Sequence, residues 1–96
     1  MFQNIQKIRL NTSLGYQTLL NNTTGTENVA LGYISMRSNT TGAANVGIGS
    51  GALLDNTTGL DNVAIGATAG VSNTTGRRNT FIGSQAAGTT GTTDSS

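Results

Sequence analysis

The sequence predicts an all-β protein, a parallel β-solenoid (β-roll) of five 17-residue coils. One frame recurs at a constant spacing, and a fixed short period is typical of repeat architectures. The five copies begin at Asn11, Asn28, Asn45, Asn62 and Asn79. Aromatic residues make up only 4% of the chain, which is too few for an ordinary globular core. Charged residues make up only 9%, whereas disordered chains usually carry many charges. Positions within a coil are numbered here from its first asparagine, as positions 1 to 17.

Each copy opens with a short predicted strand. Positions 2 and 4 are mostly β-branched or aliphatic, as a half-buried strand prefers, and they share one face because strand side chains alternate. Position 2 is Val29, Val46 and Val63 in the three middle copies. Position 3 between them is small in four copies and is Phe81 in the last. The strands therefore predict a continuous aliphatic ladder on one face.

A glycine ends each strand at position 5. The five glycines are Gly15, Gly32, Gly49, Gly66 and Gly83. Glycine at one fixed place predicts a positive φ or a close backbone approach, and a Cβ would obstruct either. A second apolar segment follows and becomes smaller along the chain, from Thr18-Leu19-Leu20 to Ala86-Ala87-Gly88, so we expect thinner or looser coils towards the C-terminus.

An Asn-Thr-Thr-Gly sequence forms the predicted turn of each coil. Its asparagines are Asn22, Asn39, Asn56 and Asn73. Stacked at one position per coil, these side chains are expected to form an amide ladder. The two residues after the turn glycine vary from copy to copy, which predicts a solvent-facing corner.

Both ends depart from the repeat. Residues 1–10 are interpreted as an N-terminal cap or a docking segment, residues 11–91 as the solenoid and residues 92–96 as a polar tail. The apolar residues of the first segment are Phe2, Ile5, Ile8 and Leu10. One hypothesis is that they cover their own first coil. The other is that they add to the last coil of a second molecule, beside Phe81 and Ile82.

The composition argues against metal binding, cofactor binding and catalysis. The chain has no His and no Cys, so the usual zinc and transition-metal sites are not expected, and no motif predicts a cofactor. The few acids lack a base partner, so we predict no enzyme activity and no catalytic residue. A lone Arg77-Arg78 pair does not predict nucleic-acid binding, and no apolar run predicts membrane insertion.

The unit Asn-Val-Ala-Ile-Gly-x-x-Ala-Gly at residues 62–70 resembles the head repeats of trimeric autotransporter adhesins and similar repeats of phage tail-fibre-like proteins. The resemblance covers Asn11 to about Gly91. It implies a trimeric parallel β-roll displayed outside a cell or on a virion. The 17-residue period is longer than the usual adhesin repeat, and no coiled-coil stalk or membrane-anchoring segment is recognisable.

The leading functional expectation is therefore structural: a subunit of an extracellular or virion-associated fibre. Too few large apolar side chains are present per coil to order it alone, which predicts a homotrimer packed through the aliphatic ladder. Because the two ends of the solenoid differ, contact between them favours head-to-tail polymers of the same chain. The alternative is a binding module, either for a cell-surface glycan at the exposed corners or for ice along the threonine row.

Overall fold

The computed structural model describes residues 10–86. Five strands succeed one another in this range: β1 (Thr12–Leu14), β2 (Val29–Leu31), β3 (Val46–Ile48), β4 (Val63–Ile65) and β5 (Thr80–Ile82). They form one parallel sheet in the order β1-β2-β3-β4-β5. Neither a helix nor an antiparallel pair occurs between residues 10 and 86. The predicted parallel β-solenoid is confirmed.

The register between strands follows the sequence repeat. Val46 pairs with Val63 and Ile48 with Ile65, so residues 17 apart stack directly. The same offset relates every neighbouring pair of strands. Because each coil presents the same residue types at the same place, hydrogen bonding and side-chain stacking favour one register throughout.

The middle residue of each strand points into the coil. These residues, at position 3, are buried: Ser13, Ala30, Gly47, Ala64 and Phe81. The opposite wall of the coil supplies the larger apolar side chains at position 9, and Leu19, Met36 and Leu53 are at most 2% exposed. Small residues on the strand side thus face large ones on the opposite side, which lets a coil of 17 residues close around a narrow core.

The apolar volume is redistributed at the C-terminal end. Position 9 of the fourth coil is Gly70, and Phe81 of the next coil packs against it. Phe81 is 6% exposed, so its ring belongs to the core of its own chain. The decrease in apolar side chains along positions 8 to 10 is therefore accompanied by one large ring from the strand side.

The backbone turns of each coil require left-handed conformations at residues other than glycine. Glu27, Ala44, Asp61 and Arg78, which precede the first asparagine of a coil, have φ values between 58° and 60°. Met36 and Leu53 at position 9 have φ values of 51°. Such values cost an L-residue free energy, so the coil-to-coil hydrogen bonds must hold these turns in place.

Candidate assembly interface

The outer face of the sheet carries two rows of side chains. Since the middle residue of each strand faces the core, the residues on either side of it face outward. The first row consists of Thr12, Val29, Val46, Val63 and Thr80; the second consists of Leu14, Leu31, Ile48, Ile65 and Ile82. Between Val29 and Ile48 these side chains are half-buried by their neighbours, whereas Leu14 and Ile82 at the two ends are 57% and 66% exposed. We call this surface the aliphatic face.

No charged residue lies in either row of the aliphatic face. The charged residues among positions 10–86 are Glu27, Arg37, Asp55, Asp61, Arg77 and Arg78, all outside the strands. An exposed contiguous apolar surface of this kind typically marks an interaction site. Its regular spacing, set by stacked strands about 4.8 Å apart, makes it a repetitive surface.

The turn asparagines hold successive coils together beneath this surface. Asn39 Nδ2 donates to Asn22 Oδ1 at 2.7 Å, and Asn56 Nδ2 donates to Asn39 Oδ1 at 2.9 Å. Asn73 continues the series with a 3.0 Å bond to Asn56. These side chains are at most 7% exposed, and they form the amide ladder that the sequence predicts.

A second ladder, which is not among the features predicted from the sequence, starts each coil. The backbone N–H of Asn62 donates to Asn45 Oδ1 at 2.9 Å, and Asn62 Nδ2 donates to the same oxygen at 3.1 Å. Asn45 Nδ2 also donates to the Gly59 carbonyl at 2.9 Å, across the coil. The signal was present in the sequence, since asparagine occupies position 1 in all five copies: Asn11, Asn28, Asn45, Asn62 and Asn79.

The two ladders meet at the turn glycines. The carbonyl oxygen of Gly42 accepts from Asn28 Nδ2 at 2.9 Å and from Asn39 Nδ2 at 3.1 Å. A Cβ on Gly42 would clash with the Asn39 side chain and lie 2.6 Å from the Gly59 carbonyl oxygen. Glycine is therefore required there by close contact, and every buried side-chain N or O atom among the described residues has a hydrogen-bond partner. The polar interior is satisfied, so it gives the strand face a rigid support.

The glycines after the strands combine both properties predicted for them. Gly49 has a φ of 129°, and a Cβ there would lie 2.5 Å from the carbonyl oxygen of Gly66 in the next coil. Gly15, Gly32 and Gly66 repeat this arrangement. Gly83 has a similar φ of 123°, but no atom lies within 4 Å of its Cβ position.

The residues expected to dock one molecule on another fall partly outside the described range. Phe2, Ile5 and Ile8 lie outside residues 10–86, as does the polar tail at residues 92–96. Leu10 is 73% exposed. At the other end, Ile82 is exposed, whereas Phe81 is buried in its own core. The expectation that Phe81 would lie open beside Ile82 is wrong, because its ring packs against Gly70.

The threonine turns use their polar groups within the solenoid. The backbone N–H groups of Thr40, Thr41 and Gly42 all donate to the Thr57 carbonyl, at 3.0, 3.2 and 3.0 Å. The Thr40 hydroxyl donates to the same oxygen at 3.2 Å. The second threonine of every turn is exposed, in the row Thr24, Thr41, Thr58 and Thr75, whereas among the first threonines of these turns only Thr23 is exposed.

Among the described residues, no group of three or more acidic, His or Cys side chains is placed to hold a metal ion. In the same part of the chain no helix has the length and apolarity needed to cross a membrane. Comparison with protein-family models, with curated proteins and with solved structures found no match. The similarity to adhesin heads and tail-fibre repeats therefore stays a resemblance of motifs.

Proposed function

We propose that the protein is a structural subunit of an extracellular or virion-associated fibre, and that its chains associate through the aliphatic face. The observation that carries this proposal is the pair of uncharged rows running along all five strands. Val46 and Ile48 at the centre are held outward on a backbone fixed by two asparagine ladders. Covering such a face against another copy removes apolar area from water, at about 25 cal/mol per Å².

A homotrimer is the arrangement we propose. A closed ring of identical chains lets each aliphatic face contact its neighbours around an axis parallel to the solenoid. The ladder of Val and Ile side chains then forms a shared core, in addition to the narrow core of small residues inside each coil. The resemblance to trimeric adhesin heads favours three chains per cross-section.

End-to-end addition extends the trimer into a filament in this proposal. β5 is the last strand of the described sheet, and the edge of a sheet attracts a further strand unless charge or proline blocks it. The exposed Ile82 lies on that edge, and the strand contains no charge. Because all strands are parallel, the two ends differ, so addition is head-to-tail.

Ice binding is less well supported than the structural role. A flat ice-binding surface needs rows of free hydroxyl groups, but the hydroxyls of Thr40 and Thr57 donate to backbone carbonyls at 3.2 and 3.3 Å. The second threonines of the turns therefore form one exposed row instead of a two-dimensional array.

The aliphatic interface is tested by substituting its centre. Ile48→Lys places a charge in the proposed shared core and is expected to dissociate the oligomer, measured by light scattering at micromolar concentration. Thr58→Lys adds the same charge at an exposed turn and serves as the control. If Ile48→Lys retains the mass of the unsubstituted protein, the aliphatic face is not the interface.

Filament formation is tested separately by electron microscopy of the full chain and of a variant lacking residues 1–10. Uniform rods support a fibre subunit, whereas discrete particles contradict one. If the shortened protein forms fibres with the same length distribution, the first ten residues are a cap, and the head-to-tail contact uses only the solenoid.

A further inference from the structure

The two tyrosines of the chain stack on each other at the surface. Tyr16 and Tyr33 occupy the same position in neighbouring coils, their ring centroids lie 5.6 Å apart, and their planes differ by 10°. The two side chains are nevertheless 63% and 55% exposed. An exposed, stacked aromatic pair is a large amphipathic surface of the kind that ligand sites use.

The aromatic row stops after the second coil. The same position holds Ser50, Ala67 and Ser84 in the following coils, all of them exposed. The ring face of Tyr33 that is turned away from Tyr16 therefore carries no third ring. The result is a step on the solenoid surface, with an aromatic face on one side and small, partly hydroxylated residues beside it.

The backbone that carries this step is rigid. The N–H of Gly32 donates to the Leu14 carbonyl at 2.9 Å, and the N–H of Ile34 donates to the Tyr16 carbonyl at 2.8 Å. The Tyr33 carbonyl accepts from the N–H of Gly51 at 2.8 Å. Both residues next to Tyr33 are thus tied to the neighbouring coil, and little ordering of the backbone is needed when a ligand binds.

A cation lies next to the aromatic pair along the chain. Arg37 Nη1 donates to Gln17 Oε1 at 3.2 Å, and Gln17 directly follows Tyr16. Within residues 10–86 this guanidinium bonds to that amide and to no carboxylate. Its remaining N–H groups can bind a carboxylate. Carboxylate and phosphate are the two anions whose geometry best matches the planar guanidinium.

We propose that Tyr16, Tyr33, Gln17 and Arg37 form a binding site for a carboxylated hexopyranose, the acidic sugar of a glycan. The positively polarised C–H groups of one sugar face pack on the exposed Tyr16–Tyr33 pair, on the side where Arg37 bonds to Gln17, and the sugar carboxylate binds Arg37. The site goes beyond the structural role and does not depend on it, because one chain supplies all four side chains.

The composition of the protein provides a direct readout. The chain contains two tyrosines and no tryptophan, so its tyrosine emission reports on this site alone. The full-length protein is titrated with 3′-sialyllactose, with a hyaluronan hexasaccharide and with neutral lactose. We expect a saturable change of emission with at least one of the acidic sugars, at millimolar concentration, and none with lactose over the same range.

Two variants and a matched control locate the site. Tyr33→Ala is expected to weaken binding at least tenfold, and Arg37→Gln to remove the preference for acidic over neutral sugar. Arg77→Gln deletes an exposed arginine elsewhere and should leave binding unchanged. An equal loss in Arg77→Gln would show nonspecific attraction by net charge and overturn the site.

Light scattering on the same samples separates this proposal from the fibre role. If neither acidic sugar changes the tyrosine emission of the unsubstituted protein, the tyrosine pair is not a glycan site. This holds even if Tyr33→Ala alters the oligomer mass. A negative sugar titration with an unchanged trimer leaves the proposed structural function standing.

Discussion

The Phe81 ring occupies the space that a side chain at Gly70 would fill. A Cβ on Gly70 would be 2.5 Å from Cδ2 of that ring. Earlier coils arrange the same two positions in reverse. Met36 lies against Gly47, whose Cβ position is 2.9 Å from Met36 Cγ. The last pair thus exchanges its large and small residues between the two sides of the coil, and one narrow core is filled in two ways.

The exchange predicts strong coupling between the two residues. Phe81→Ala alone should cost about 3–5 kcal/mol of the free energy of unfolding through a cavity, and Gly70→Leu alone about 1–3 kcal/mol through overpacking. The double variant recreates the arrangement of Leu53 and Ala64, so it should lose less stability than Phe81→Ala alone. Denaturant unfolding of all four proteins measures the coupling, and strict additivity would contradict the packing relationship.

The glycines after the strands allow the effect of contact to be separated from the effect of φ. Gly49→Ala and Gly83→Ala both place an alanine at a φ near +125°, with values of 129° and 123°. Only Gly49→Ala also meets the carbonyl of the next coil. We expect about 1–3 kcal/mol of destabilisation for Gly83→Ala and a larger loss for Gly49→Ala. Equal melting temperatures would mean that the carbonyl contact is unimportant.

Adjacent alanines test the left-handed corner. Ala44 has a φ of 58°, whereas the φ of Ala43 is not positive and Ala43 forms a bridge with Leu60. Ala44→Gly should therefore raise stability by up to about 1 kcal/mol, because glycine reaches this conformation without strain. Ala43→Gly should lower it by about 0.5–1 kcal/mol. Thermal unfolding distinguishes them, and a shift in the same direction for both would contradict the assigned backbone.

The asparagine ladder predicts a large difference between two asparagines. Asn56 is fully buried and bonds to Asn39 at 2.9 Å and to Asn73 at 3.0 Å. Asn56→Ala leaves buried polar partners unsatisfied and should cost at least about 2–3 kcal/mol. Asn21→Ala removes an exposed asparagine and should change stability by no more than about 0.5 kcal/mol. Chemical denaturation of the two variants measures the difference. If Asn56→Ala loses no more stability than Asn21→Ala, the asparagine ladder does not stabilise the fold.

Several features of the fold could be predicted from the sequence because the repeat imposes them. Identical spacing of Val46, Val63 and the strand glycines admits one parallel register, and alternation of residue types predicts two different strand faces. The Asn-Thr-Thr-Gly turns could be recognised by composition, since these residue types favour turns in any context.

Other features depend on contacts that the residue types do not specify. Nothing in the side chains of Ala44 and Arg78 indicates a positive φ, because the closed path of the coil imposes it. The buried position of Phe81 follows from the absence of a side chain on Gly70, eleven residues earlier in the chain. The sequence predicts the candidate interface as an aliphatic ladder, but only the burial of Ala30 and Ala64 establishes that the neighbouring Val and Ile side chains face outward.

The claim that one chain completes its hydrophobic core with other copies is tested most directly by sedimentation equilibrium of the full chain at micromolar concentration. Each chain has a mass of 9.7 kDa. A homotrimer is expected to give a single species of three chains whose β-sheet circular dichroism persists across the concentration range. A folded monomer with the same circular dichroism would contradict it, because the aliphatic face would then be stable in water without a partner.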